Sequence, residues 1–224
     1  IPEGLPAITS VILAFGISKM AKLYKTIIKS MPAVETLGSV DVIATDKTGT
    51  LTKNEMTATE LWVGDQLYQV SGTGYAPTGE IKLNGKKAPL TDQLKLFVEA
   101  GYQANDTVLS ENDGAWHING EPTDGAFLTL YHKAYGPKHQ SQSAEIDLLP
   151  FDSDYRYIAE LTENQETHEK VIFIKGSPDK LFEMAKKEDP NFNLAKWQQR
   201  VNDWSSAGKR VIAVGYQPVP SNEN

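Results

Sequence analysis

The segment Val42–Thr52, VIATDKTGTLT, holds the residues of this chain best suited to chemistry. Asp46 follows an apolar run of strand length, and parallel α/β folds gather their ligands on the loops outside the carboxyl ends of such strands. A carboxylate there can attack phosphorus and form an aspartyl phosphate, which divides one difficult phosphoryl transfer into two easier steps. Gly49 permits a tight turn whose successive N–H groups cradle phosphate oxygens, and Lys47 and Thr48 add a cation and a hydroxyl. Transfer of this kind is mostly positioning and charge neutralisation, which also calls for Mg²⁺.

Two textures of chain must position these groups. "VDVIA", just before Asp46, is a nearly continuous apolar run, the pattern of a strand buried on both faces of a parallel sheet. After Thr52 the pattern turns antiparallel. TATELWV and QLYQVS flank Gly64-Asp65, IKL runs into Asn84-Gly85, and TVLS and AWHIN flank Asn112-Asp113-Gly114, all of them hairpin signals. Helices are expected from Thr91 as N-cap, with Leu94, Phe97, Val98 and Gly101 on one face, and from Thr123 as N-cap, with Phe127, Leu130, Tyr131 and Ala134. Another starts at Ser177 with Pro178 in its first position, and a last one covers LAKWQQRVNDWSSAG, stopping at Gly208 before a strand RVIAVGY. The fold class is therefore α/β: the start of a parallel α/β domain up to about Thr52, then an inserted α+β domain on an antiparallel sheet.

The 224 residues, 40% of them apolar, suffice for a real core. A net charge of −7 without a basic stripe argues against a nucleic-acid partner. The absence of cysteine excludes disulfides and thiolate metal sites, and His117, His132, His139 and His168 show no close pairing of the kind zinc requires. The first 31 residues differ from the rest: LPAITSVILAFGI carries no charge, whereas the next dozen hold Lys19, Lys22, Lys25 and Lys29 against no acid. That step reads as a membrane-to-cytoplasm border. Thirteen apolar residues fall short of the roughly 20 that span a bilayer. A buried helix of a soluble domain stays open beside the inner half of a membrane helix cut by the boundary of the chain.

DKTGTLT, directly after a buried-strand pattern, resembles the phosphorylation motif of the P-type ATPases, ion pumps that phosphorylate themselves on the aspartate of DKTGT. About forty residues earlier, IPEGLP resembles the PEGLP of the fourth membrane helix in the calcium-pump branch, and MPAVETLGSVDVIATDKTGTLTKNEM continues the match. The resemblance implies Asp46 as nucleophile with Lys47 and Thr48 beside it, Mg²⁺ on Asp46 and Thr48, and Glu3 as a ligand of the transported cation. It implies a haloacid-dehalogenase-like core for the parallel domain. Soluble phosphatases of that fold usually carry a second aspartate two positions after the nucleophile. Thr48 stands there instead, so an acyl phosphate is expected to persist long enough for a pump's conformational change.

The chain beyond Thr52 is similar to the family's nucleotide-binding domain. GEPTDGAFL brings Thr123 and Asp124 to the adenosine, and PFDSDYR makes Phe151 the ring stacked on adenine, with Arg156 the basic position that follows. KGSPD makes Lys175 the base lining the pocket, with Gly176 letting the ligand approach, and GKRVIAV puts Arg210 near the phosphates. Asp124 and Asp179 replace the usual glutamates, and Tyr155 stands where a basic residue is frequent. The family's TGD and GDGxND segments are not in the chain, and no TGE segment of its actuator domain is found, the letters TGE at Thr78–Glu80 falling after DKTGT. The expected plan is a half membrane helix and stalk over residues 1–24, the start of the phosphorylation domain over 25–52, and over 53–224 a nucleotide-binding domain whose C-terminal end is cut short. The full protein is expected to be a multi-pass membrane pump that couples ATP hydrolysis to cation transport, calcium first, with ATP, the cation and lipid as partners and most of this stretch on the cytoplasmic side. The isolated chain is expected to bind nucleotide without turning it over. The alternatives are a soluble phosphatase or a nucleotide-binding module without catalysis.

Overall fold

The computed structural model describes residues 4–220. The chain divides into two compact units, Ile1–Lys53 and Asn54–Asn224. Glu3 lies outside the described residues.

In the first unit, helix α1 (Leu5–Tyr24) opens with Pro6 in its first turn and ends where Lys25 turns left-handed at φ 54°. It runs straight through Lys19 and Lys22, since Lys, Ala, Met and Leu all favour helix. The result is one helix of 20 residues and mean hydropathy 1.3, long and apolar enough to cross a membrane by length and composition. Helix α2 (Met31–Leu37) follows. The strand expected at "VDVIA" does not form: residues 40–46 are extended or irregular, and Val42 and Ile43 are exposed. A strand needs hydrogen-bonding neighbours on its edges, and no other strand occurs among the described residues of this unit.

The second unit is built on three antiparallel sheets. β1 (Glu60–Val63), β2 (Gln66–Val70), β3 (Ile81–Leu83) and β4 (Lys86–Lys87) form a meander in chain order. β5 (Val108–Asn112) and β6 (Ala115–Asn119) form a two-stranded ribbon. β7 (Ser143–Asp152), β8 (Tyr157–Asn164), β9 (Lys170–Gly176) and β10 (Ala213–Val219) make the larger sheet, ordered β10-β9-β8-β7. The hairpin signals turn where expected, with Gly64-Asp65, Asn84-Gly85 and Asp113-Gly114 all at positive φ, as tight two-residue turns require.

Helix α3 (Asp92–Gln103) is capped by Thr91, whose hydroxyl accepts from Leu94 N. It lies between two cores. Leu94 and Val98 pack with Leu61, Tyr68, Ile81, Leu130 and Tyr131, while Ala100 and Ala104 pack with Ile158 and Phe173 of the larger sheet. Helix α4 (Pro122–Tyr135) begins one residue before the expected cap: Glu121 is the N-cap and Pro122 takes the first helical position, so Thr123 sits inside the helix. Helices α5 (Pro178–Glu188) and α6 (Leu194–Ser206) meet through Phe182, Phe192 and Trp197. The last strand starts at Ala213 and not at Arg210, because only from Ala213 does the chain pair with Gly176 on β9.

Candidate functional site

The strands of the larger sheet bring most of the expected nucleotide residues to one end. β9 finishes at Lys175 and Gly176, β8 starts opposite them at Tyr157, β10 starts at Ala213, and β7 finishes at Asp152. Phe151, Arg156, Lys175 and Gly176 therefore share this edge, with Arg210 three residues before β10.

Lys175 points to the face that carries Ile158 and Val214, its partners in register. Its side chain is 3% exposed, and Nζ lies 2.8 Å from Asp124 Oδ1 on the first turn of α4. Nζ also sits 5.1 Å from the centre of the Phe127 ring. The contact with Asp124 is ionic, and the ammonium has no aligned hydrogen-bond acceptor among the described residues. Burial pulls the Lys175 pKa below its ordinary value, while Asp124, and after it Asp106 and Glu160, favour the charged form. A buried ammonium with unspent donors suits an acceptor brought by a ligand.

Phe127 reaches this position because α3 carries Gly101 opposite it. A Cβ on Gly101 would fall 2.2 Å from the Phe127 ring, so only glycine lets the two helices close here. Gly176 has a similar part: an added Cβ would lie 2.4 Å from the Arg156 carbonyl oxygen. The β7–β8 turn is thereby held against the end of β9, and Ser177 N donates to the same carbonyl at 2.9 Å.

Phe151 lies at an irregularity in β7. Leu149 pairs with Ala159 and Asp152 with Tyr157, so Pro150 and Phe151 together oppose Ile158. The Phe151 ring is 58% exposed, free of the core and open to a flat ligand. Thr123 and Arg210 line an open cleft of about 280 Å³ together with Phe97, Phe127, Trp204 and Ile212. An ion pair between Lys209 and Glu60 lies beside it. Phe127 thus joins the cleft to the Lys175–Asp124 pair.

In the first unit, Asp46 is exposed and extended (φ −69°, ψ 146°) and leads into a wide turn, Lys47–Leu51. Gly49 sits at φ 72°, and Thr52 N closes the turn on Lys47 O at 3.2 Å. The Thr52 hydroxyl accepts from Gly49 N and donates to Lys47 O. Asp46, Lys47 and Thr48 follow one another on this exposed turn. Among the described residues no three His, Asp or Glu side chains gather into a metal-binding group.

Phe127, Asp106, Glu160 and the ion pair of Arg156 with Asp179 were not expected from the sequence. Phe127 reads there as one more residue of an apolar helix face, and only the helix pairing set by Gly101 turns it toward Lys175.

The chain is 35% identical to a calcium-transporting ATPase of Bacillus subtilis, over all of this chain and 26% of that protein. It is 36% identical to the cation-transporting ATPase pma1 of Synechocystis, over 98% of this chain and 25% of that protein. It is 34% identical to the human calcium-transporting ATPase type 2C member 1, over 97% of this chain and 25% of that protein. The chain spans about a quarter of the length of these relatives. Residues 93–224 match the family model for P-type ATPase, cytoplasmic domain N, and the chain, calcium-pump-like in these resemblances, belongs to the P-type ATPase family.

Proposed function

We propose that the protein is an ATP-driven cation pump, with calcium as the cation, and that the second unit binds the adenine nucleotide. The observation that carries the nucleotide reading is the buried Lys175 ammonium, paired with Asp124 and lacking an aligned acceptor, at the sheet end that also holds Phe151 and Arg156. Adenine stacks on Phe151, the adenosine meets Thr123, Asp124 and Lys175, Gly176 serves the site by letting the β7–β8 turn close on β9, and the phosphates run toward Arg156 and Arg210.

Asp46 is the nucleophile. One carboxylate oxygen attacks the γ-phosphorus of ATP, the bond to the β–γ bridging oxygen breaks, and ADP leaves with that oxygen. Lys47 holds charge beside the transferred group, and the N–H groups of the Gly49 turn take its oxygens. Mg²⁺ prefers oxygen ligands and is content with one or two carboxylates plus phosphates and water, so the Asp46 carboxylate and the oxygens of Thr48 fit it without a dedicated cage. When bound it neutralises charge on the phosphates. Glu3 ligates the transported cation, and α1 lies in the membrane with the chain after it on the cytoplasmic side.

The test uses the full-length pump. ATP labelled on its γ-phosphate should leave an acid-stable, hydroxylamine-labile label on the wild-type protein, with Ca²⁺ the most effective of a panel of cations. Asp46→Asn should carry no label; persistence of the label would refute the nucleophile assignment.

A further inference from the structure

Arg156 is held from every direction except along its side chain. Its backbone is left-handed at φ 63°, its N–H donates to Asp152 O at 2.6 Å, and its carbonyl accepts from Ser177 N at 2.9 Å. With the main chain locked, the guanidinium can swing but the Cα cannot follow a ligand. In this structure the guanidinium is engaged inside the protein through one of its nitrogens: Nη2 donates to Asp179 Oδ2 at 2.5 Å, across the first turn of α5. The Ser177 hydroxyl donates to the other carboxylate oxygen, Oδ1. Asp179 is thus fixed from the Ser177 side and presents Oδ2 to Arg156.

The pair is open to solvent, with side chains 45% and 54% exposed. A phosphate reaching this end of the sheet would meet an arginine already carrying a carboxylate. Lys175 does not duplicate it, because its ammonium faces Asp124 and the Phe127 ring, where the adenosine is read to sit.

We propose that Asp179 is an internal competitor for the nucleotide's phosphates: it occupies the Arg156 guanidinium in the empty protein and must yield or share it when a polyphosphate binds. This rests on the reading that nucleotide binds at this sheet end. The Asp179 carboxylate is suited to the role because the Ser177 hydroxyl, and after it Arg156, hold its pKa below the ordinary carboxylate value and keep it ionised. The competitor acts on the phosphates alone and is indifferent to the base. Asp179 is therefore a specificity-setting residue that lowers affinity for ATP and ADP relative to adenosine.

The experiment is calorimetric titration of the 224-residue chain with ATP, ADP and adenosine, for wild type, Asp179→Asn, Arg156→Ala and the double variant. Exposed ion pairs contribute little, so Asp179→Asn should raise ATP affinity roughly 1.5- to 5-fold. The gain should be smaller for ADP and absent for adenosine, should shrink with added salt, and should vanish in the Arg156→Ala background. Equal weakening of ATP and adenosine would assign Asp179 a structural role in the turn and overturn the proposal. So would unchanged ATP affinity in Asp179→Asn when Arg156→Ala weakens ATP. If Arg156→Ala leaves ATP unaffected, the phosphates do not pass this arginine, and the underlying reading falls with the proposal.

Discussion

Asp124→Asn keeps the volume of the side chain and removes only its charge, which isolates what the carboxylate does for Lys175. The ammonium, 3% exposed, would remain beside a neutral amide, and breaking a buried pair in this way costs about 3–5 kcal/mol. The surroundings narrow that range. Asp106 favours the charged lysine, and the Phe127 ring adds a cation–π attraction. Lys175 can also shed its proton: doing so at about pH 7 from its ordinary pKa of 10.5 costs about 5 kcal/mol, a ceiling on the penalty. We expect a loss of about 3 kcal/mol. Lys175→Met leaves the Asp124 carboxylate without its partner at 12% side-chain exposure, but in the first turn of α4, where negative charge is favoured, so it should cost less than Asp124→Asn, although it should abolish the lysine's part in nucleotide binding.

The pH dependence has a definite sign. Burial lowers the folded pKa of Lys175, and in Asp124→Asn it falls further. Between that lowered value and 10.5, the unfolded chain binds the extra proton, so the variant gains stability as pH rises and its deficit against wild type narrows. Urea denaturation followed by tryptophan fluorescence reads this directly, because Trp62, Trp116, Trp197 and Trp204 all lie in the second unit. Equal losses for Asp124→Asn and Lys175→Met, or a deficit that does not shrink at high pH, would refute the reasoning.

Phe151→Ala should weaken ATP and adenosine alike, roughly 5- to 100-fold by the worth of one base–aromatic stack, while barely changing the denaturation midpoint, because the ring is 58% exposed. A large stability loss with unaltered affinity would make it a core residue instead. Glu160 is buried, and burial, reinforced by Glu145, pushes its pKa from 4.5 up to about 8. The folded protein therefore holds this proton where the unfolded chain has lost it. The stability it contributes is complete below about pH 4.5 and falls as pH rises through about 8, with a slope of at most about 1.4 kcal/mol per pH unit. Glu160→Gln should flatten that part of the stability–pH curve, and an unchanged slope would place the titration elsewhere.

What the sequence made legible was local. Asn-Gly and Gly-Asp pairs impose turns wherever they stand, and Thr91 caps α3 through its own hydroxyl, so these features needed no tertiary information. The misreadings came where a local signal competed with a neighbour. Thr123 is a good cap, but Pro122 already fits the first helical position and moved the start of α4 forward. Val42 and Ile43 have strand-forming side chains, yet strand pairing is a property of two segments, and no second strand occurs among the described residues of the first unit. The relation of Gly101, Phe127 and Lys175 joins α3, α4 and β9, and no spacing along the chain encodes a three-way meeting of that kind.

The irregularity in β7 has a bearing on how this region can vary in length. β7 is the edge of its sheet, and Pro150, which lacks an N–H, stands where two residues share one partner. Removing either Pro150 or Phe151 would let the strand pair evenly with Ile158 and take the irregularity out of the ladder. The same deletion would keep Asp152 opposite Tyr157 and put whatever remained between Leu149 and Asp152 on the face that Ile158 shares with Lys175. The chain could fold well and still lose its exposed ring. Deletions at this point should therefore be silent in expression and thermal melts and visible only in ligand binding, whereas added residues between β8 and β9, in the Gln165–His168 turn at the far end of the sheet, should leave both untouched.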